Sequence, residues 1–197
     1  MEAMQDIGTL VVRTLGSMYL LVVMLRFILQ LAKADFYNPI SQFVVKATNP
    51  LLIPIRRVIP GLMGIDLASL FLALIVQYAI LQACLLMLGH GIVNPVMMGI
   101  WSVIGVLALT ASVYFWGLII MIVASWIAPQ SNNPALMLIS QLIAPITEPI
   151  RRLLPDMGGI DISPIFAFLI IKVAQIIIMN LAAAASMGGV TSLVMGL

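Results

Sequence analysis

Two arginine pairs, Arg56-Arg57 and Arg151-Arg152, each follow Pro-Ile, and each is followed by a Gly-Ile-Asp step that ends at Asp66 or Asp161. A guanidinium group is a planar fork of donors that takes phosphate or carboxylate oxygens two at a time. Such pairs suit anionic lipid headgroups or a partner protein, and they equally serve to set topology and anchor a segment at a membrane edge. Each aspartate precedes an apolar helix. It can act there as an ion or proton site, as a helix cap that accepts backbone N–H bonds at the positive end of the dipole, or as the partner of an arginine in its own segment. Lys172 lies further inside an apolar run, roughly 16 Å past Asp161 at 1.5 Å per residue. A charge that deep is costly and faces protein or a wet cavity, so Lys172 is the candidate intramembrane polar residue, or else a lysine that fixes helix packing. Gln77 holds the matching position earlier in the chain. His90 has no metal-binding neighbours at ligand spacing, and Cys84, the single cysteine, reads as a small packing residue. No phosphate-binding loop, Ser/His/Asp set or zinc pattern is present. A non-enzymatic protein is expected, with no catalytic residue, metal or cofactor.

These residues sit in a chain that needs lipid as its solvent. Hydrophobic residues make up 63% of the 197 and charged residues 8%, against about 25% charge in soluble domains. Mean hydropathy is +1.20. Four apolar runs, over residues 8–32, 66–88, 96–128 and 161–187, exceed the roughly 20 residues that cross a bilayer. The third is longer than a bilayer needs. It is expected to tilt, to begin as an interfacial turn around Met97 to Trp101, or to kink near Gly105. The first run has a cleavage-like Ala32-Lys33-Ala34, yet Glu2 and Asp6 stand where a secretory leader needs positive charge, so this helix is expected to stay. A net charge of +2 gives no sign of a nucleic-acid partner. Ala182 to Ala185, with Ser186 and Gly188, offers a small-residue face for close packing or self-association.

The elements that hold the arginines are duplicated. At a spacing of 95 residues, Asn38-Pro39 matches Asn133-Pro134, Pro50 matches Pro145, Pro54 matches Pro149, and Ile55-Arg56-Arg57 matches Ile150-Arg151-Arg152. Pro60 then matches Pro155, Gly64-Ile65-Asp66 matches Gly159-Ile160-Asp161, and Phe71 and Ile75 match Phe166 and Ile170. No gap is needed, which marks a duplication. The first unit covers 1–92, with connector 33–65. The second covers 93–197, with connector 129–160. Each unit crosses the membrane twice, so the two units are parallel repeats. The expected fold is an all-α membrane protein of four transmembrane helices.

The connectors are expected to lie in the interface. Pro39–Ala47 and Pro134–Ala144 can form short helices that begin on proline, and Phe43-Val44-Val45 beside Lys46 suits an in-plane helix. Pro50 and Pro54, like Pro145 and Pro149, are expected to stop those helices from continuing. Lys33, Lys46, Arg56, Arg57, Arg151 and Arg152 fall on the connector side, whereas the opposite side has Arg13 alone. The positive-inside rule therefore predicts cytoplasmic connectors and both termini on the outer side. Arg26, near the cytoplasmic end of its helix, can snorkel.

The doubled Asn-Pro, Pro-(x)3-Pro-Ile-Arg-Arg-(x)2-Pro and Gly-Ile-Asp pattern, with an apolar helix on each side, resembles the YggT family, called YlmG in some lineages. The resemblance covers nearly the whole chain. It implies a multi-pass protein of a bacterial cytoplasmic (inner) membrane, with family links to osmotic-stress tolerance, ion balance and envelope organisation and no catalytic residue to carry over. The first copy has Ile53 where the second has Glu148, so the units need not be equivalent. Two functions are expected to compete. One is a membrane scaffold or assembly factor acting through its connectors on headgroups, a membrane-protein partner or a second copy of itself. The other is a small-solute or ion transport component built around Lys172.

Overall fold

The computed structural model describes residues 2–62, 64–128, 131–154 and 161–197. Among the described residues six α-helices follow in order: α1 (Glu2–Leu31), α2 (Pro39–Val58), α3 (Leu67–Met87), α4 (Pro95–Ile127), α5 (Pro134–Leu153) and α6 (Ser163–Ala184). The order long span, connector helix, short span occurs twice. The spans α1, α3, α4 and α6 are long and apolar enough to cross a membrane, whereas α2 and α5 are amphipathic. Among the described residues there is no strand beyond a single bridge between Leu62 and Ile65.

Asparagine followed by proline starts three of the helices. The side chains of Asn38, Asn94 and Asn133 accept the N–H of Ile40, Val96 and Ala135, each at 2.9 Å. The proline then occupies the first turn, where its missing N–H costs nothing. The end of α1 is a left-handed cap at Lys33, with φ 51°. There Ala34 N–H reaches Leu29 O at 2.9 Å and Lys33 N–H reaches Gln30 O at 3.1 Å, the paired bonds of a Schellman turn.

The two connector helices correct one expectation. Pro50 and Pro54 lie inside α2, and Pro145 and Pro149 lie inside α5, yet each helix runs unbroken for 20 residues. All four prolines are exposed and sit four residues apart, on one face of their helix. The carbonyls that lose a partner are those of Lys46, Pro50, Gln141 and Pro145. These belong to exposed or half-exposed residues, where water or headgroups can satisfy them, so the helix tolerates what a buried one would not. The opposite face is buried: Ser41, Val44, Thr48 and Leu52 in α2, and Leu138, Leu142, Ile143 and Thr147 in α5.

Packing follows the duplication without obeying it fully. α1 packs on α3, and α4 on α6, within the units, and α3 packs on α4 between them. α2 rests on α1 and α3, α5 rests on α4 and α6, and α2 and α5 touch each other. Gly16 lets α1 approach α3: a Cβ there would lie 2.6 Å from Ile80 Cγ1. The third span is a continuous helix of 33 residues from Pro95, about 50 Å long, with no interfacial break at Met97 to Trp101. The fourth ends at Ala184, short of the expected 187, on a second left-handed cap at Ser186 with φ 56°. The remaining segment folds back onto α4. Trp101 Nε1–H donates to Ala185 O at 2.9 Å, and Met187, Val190, Leu193 and Val194 are buried. Of the small residues near the end of α6, Ala182 is buried, whereas Ala183, Ala184, Ser186 and Gly188 are exposed. Pro155, Gly159 and Ile160, part of the sequence repeat, lie outside the described residues.

Candidate functional site

The repeated Arg and Asp residues come together on the connector side of the helix bundle. In the first unit, Arg56 at the end of α2 donates to Asp66, the residue that caps α3. Asp66 also accepts the N–H of Ser69 at 3.3 Å and its hydroxyl at 2.5 Å, which ties the cap to the first turn of the span. Arg56 reaches further, to Gln30 Oε1 of α1 at 3.4 Å. One guanidinium therefore links the connector helix to both spans of its unit. In the second unit Arg151 donates to Asp161, and Asp161 accepts Ser163 N–H at 2.9 Å just before α6 begins.

The two pairs differ in exposure. The Asp66 side chain is 2% exposed and that of Asp161 37%. Burial alone pushes the Asp66 carboxyl up, but the bonds from Arg56 and Ser69 outweigh it and hold the group below the usual carboxylate range. At Asp161, too, burial raises, and bonds from Ser163 and Arg151 prevail, leaving a lowered value.

The second arginine of each pair points elsewhere. Arg57 is exposed and makes no salt bridge among the described residues. Arg152 is exposed as well and lies 3.7 Å from Glu148, one helical turn back. Ile53, the first unit's counterpart of Glu148, removes that acid, so the departure between copies changes the charge presented beside Arg57. The connectors also meet directly: Asp35 N–H donates to Gln141 Oε1 at 2.8 Å, and Asn38 Nδ2–H to Pro134 O at 2.7 Å.

Lys172 and Gln77 occupy equivalent positions but do not form one site. The Lys172 ammonium stands 4.1 Å from the Phe115 ring centre and 5.7 Å from that of Phe168, within the range of attraction between a cation and a ring face. Gln77 is buried between α3 and α4. A Cβ on Gly105 would lie 2.8 Å from its Nε2 and 3.1 Å from Val194 of the tail. Gly105 and Phe115 are roughly 15 Å apart along α4. Sequence reasoning missed Phe115 as the partner of Lys172. Phe168, one turn before Lys172 on the same helix face, was the available signal. It also missed a cavity beside Arg26 at the end of α1. Among the described residues no group of three His, Cys, Asp or Glu side chains is placed to hold a metal ion.

The chain is similar to known proteins over most of its length. The profile of the CCB3/YggT family matches residues 5–88 and again 100–182, so one family unit fits twice, at the spacing of the internal repeat. An uncharacterized protein of Pseudomonas aeruginosa is 52% identical over 171 residues, which cover 86% of this chain and 87% of that one. Uncharacterized protein YggT of Escherichia coli K12 is 41% identical over 84% of this chain and 85% of its own. A protein of Vibrio alginolyticus is 37% identical over 83% and 89%. No solved structure matches. With its two copies of the family unit and its four apolar spans, the chain belongs to the CCB3/YggT family.

Proposed function

We propose that this protein is a non-enzymatic scaffold or assembly factor of the bacterial cytoplasmic membrane, acting through two clipped connector helices on the cytoplasmic side. The observation that carries the reading is the repeated Arg–Asp clip. Arg56–Asp66 and Arg151–Asp161 tie each amphipathic helix to the span that follows it and leave Arg57 and Arg152 exposed at its end. A rigid interfacial helix that ends in an outward guanidinium suits recognition of headgroups or of an acidic partner surface. The cavities between the spans favour the same reading. One of about 400 Å³ is lined by Leu21, Leu25, Trp116 and Ile120, and one of about 460 Å³ by Leu74, Ile75 and Val103. Such walls suit acyl chains better than ions. The excess of Lys and Arg on the connector side supports the orientation, and the family's links support osmotic-stress tolerance as the cellular phenotype.

Photocrosslinking from positions 57 and 152 in intact cells tests this. Capture of one defined membrane-protein partner or of anionic lipid is the expected result, and recovery of random neighbours alone contradicts it. The transport reading has one observation in its favour, the ammonium of Lys172 held within a span against Phe115. Ion flux into protein-containing liposomes that disappears in Lys172→Leu is the result that would replace the scaffold reading.

A further inference from the structure

A cavity of about 250 Å³ opens between the end of α1 and the buried face of α2. Arg26, Gln30, Lys33 and Ser41 contribute its polar wall, and no carboxylate lines it. Arg26 is 9% exposed and Ser41 5%. Arg26 Nη1 and Ser41 Oγ are both buried without a hydrogen-bond partner among the described residues. A buried guanidinium N–H and a buried hydroxyl are each costly without an acceptor. Arg26 and Ser41 both line this one cavity, with the exposed Lys33 at its rim and no acid in its wall, so the group that completes it is an oxyanion. Leu29, Val44 and Val45 form the apolar remainder of the wall, and Phe36 stands beside it. Arg26 lies about 8 Å inside the connector end of α1.

The second unit supplies an internal control. The same place in the fold, between the end of α4 and α5, holds a cavity of about 210 Å³. Position for position across the repeat, Met121 stands for Arg26, Ala128 for Lys33 and Leu136 for Ser41. The duplication has kept the cavity twice and its charge once. Packing alone therefore does not require Arg26, because the sibling cavity is built with a methionine.

We infer that the Arg26–Lys33–Ser41 cavity is a binding site for the phosphate of an anionic phospholipid, specific to the first unit. The Arg26 guanidinium and the Ser41 hydroxyl donate to the phosphate oxygens, Lys33 adds charge at the rim, and the acyl chains run over Val45 and Phe36. Gln30 bonds Arg56, so a lipid held here abuts the first Arg–Asp clip. The site does not rest on the scaffold reading and stands if the connectors recognise no protein.

The test is native mass spectrometry of the full chain in detergent, titrated with phosphatidylglycerol, phosphatidylcholine or inorganic phosphate. The expected result is one phosphatidylglycerol retained in preference to phosphatidylcholine. Arg26→Met, the residue the sibling cavity already uses, should weaken retention about tenfold, the scale of one charge-assisted hydrogen bond. Lys33→Asn should weaken it severalfold. Lys33 is exposed and asparagine tolerates its left-handed backbone, so this variant keeps its fold even if Arg26→Met does not. Unchanged retention in Lys33→Asn and in folded Arg26→Met overturns the site, as does equal retention of phosphatidylcholine. Displacement of the lipid by millimolar inorganic phosphate overturns the lipid as its occupant and assigns the cavity to the free anion.

Discussion

Asp66 and Asp161 hold equivalent places, yet only the first is sealed from solvent, and their substitutions should differ accordingly. Arg56→Met leaves a buried carboxylate without its counter-charge. It should cost about 1–3 kcal/mol, less than for a fully buried pair because Arg56 is itself partly open. Arg151→Met, at an exposed pair, should cost less than about 1 kcal/mol. Thermal unfolding in detergent measures both. Both carboxyls have folded values below their ordinary range, so their stabilisation is complete above about pH 4 and is lost as pH falls through the lowered value. Asp66→Asn should flatten that acid dependence. At Lys172 the ring matters more than the charge. Phe115→Leu strands an ammonium within a span, whereas Lys172→Met removes both the cation and its desolvation cost. Phe115→Leu should therefore lower the unfolding midpoint more than Lys172→Met does. The Arg–Asp pairing was legible as one of three readings because its spacing repeats. The Phe115 contact was harder to read, since it joins two helices and only Phe168, one turn before Lys172, marked an aromatic face there.

The elements follow from local rules wherever those rules act within one segment. Asparagine caps with proline behind them, apolar runs of spanning length and the amphipathic stripe of α2 and α5 are all written in consecutive residues. The connector prolines misled because their effect depends on which face they occupy. Their spacing of four places the lost bonds outward, and the helix continues. Contacts between elements are less visible. The Gly16 approach to Ile80 needs the register of α1 against α3, which composition does not encode. Gly16→Ala should push Ile80 aside and destabilise the α1–α3 pair by about 1–3 kcal/mol, with the loss read as a lower unfolding midpoint. The return of residues 185–197 onto α4 was likewise invisible. Its apolar residues are too few for a span and find their meaning only against Trp101 and Gly105.

At the scale of the whole molecule, a duplicated unit has produced two halves with one plan and two chemistries. The first half has the buried clip, the charged cavity and the buried Gln77. The second has the open clip, the neutral cavity and the ring-held Lys172. Duplication made the architecture legible, because the same prolines, arginines and aspartates recur in register. The divergence of the halves rests on single side chains in separate helices and becomes visible only when they are placed together. The scaffold function proposed above requires both connectors to lie on one face of the membrane, the cytoplasmic one. Thiol labelling in intact cells with a membrane-impermeant maleimide reads this directly, with buried Cys84 as a low background. Arg57→Cys and Arg152→Cys should both be protected until the membrane is permeabilised, while Ile92→Cys, in the exposed turn between α3 and α4, should label at once. Labelling of position 57 and protection of position 152, or the reverse, would make the units inverted rather than parallel and contradict the account.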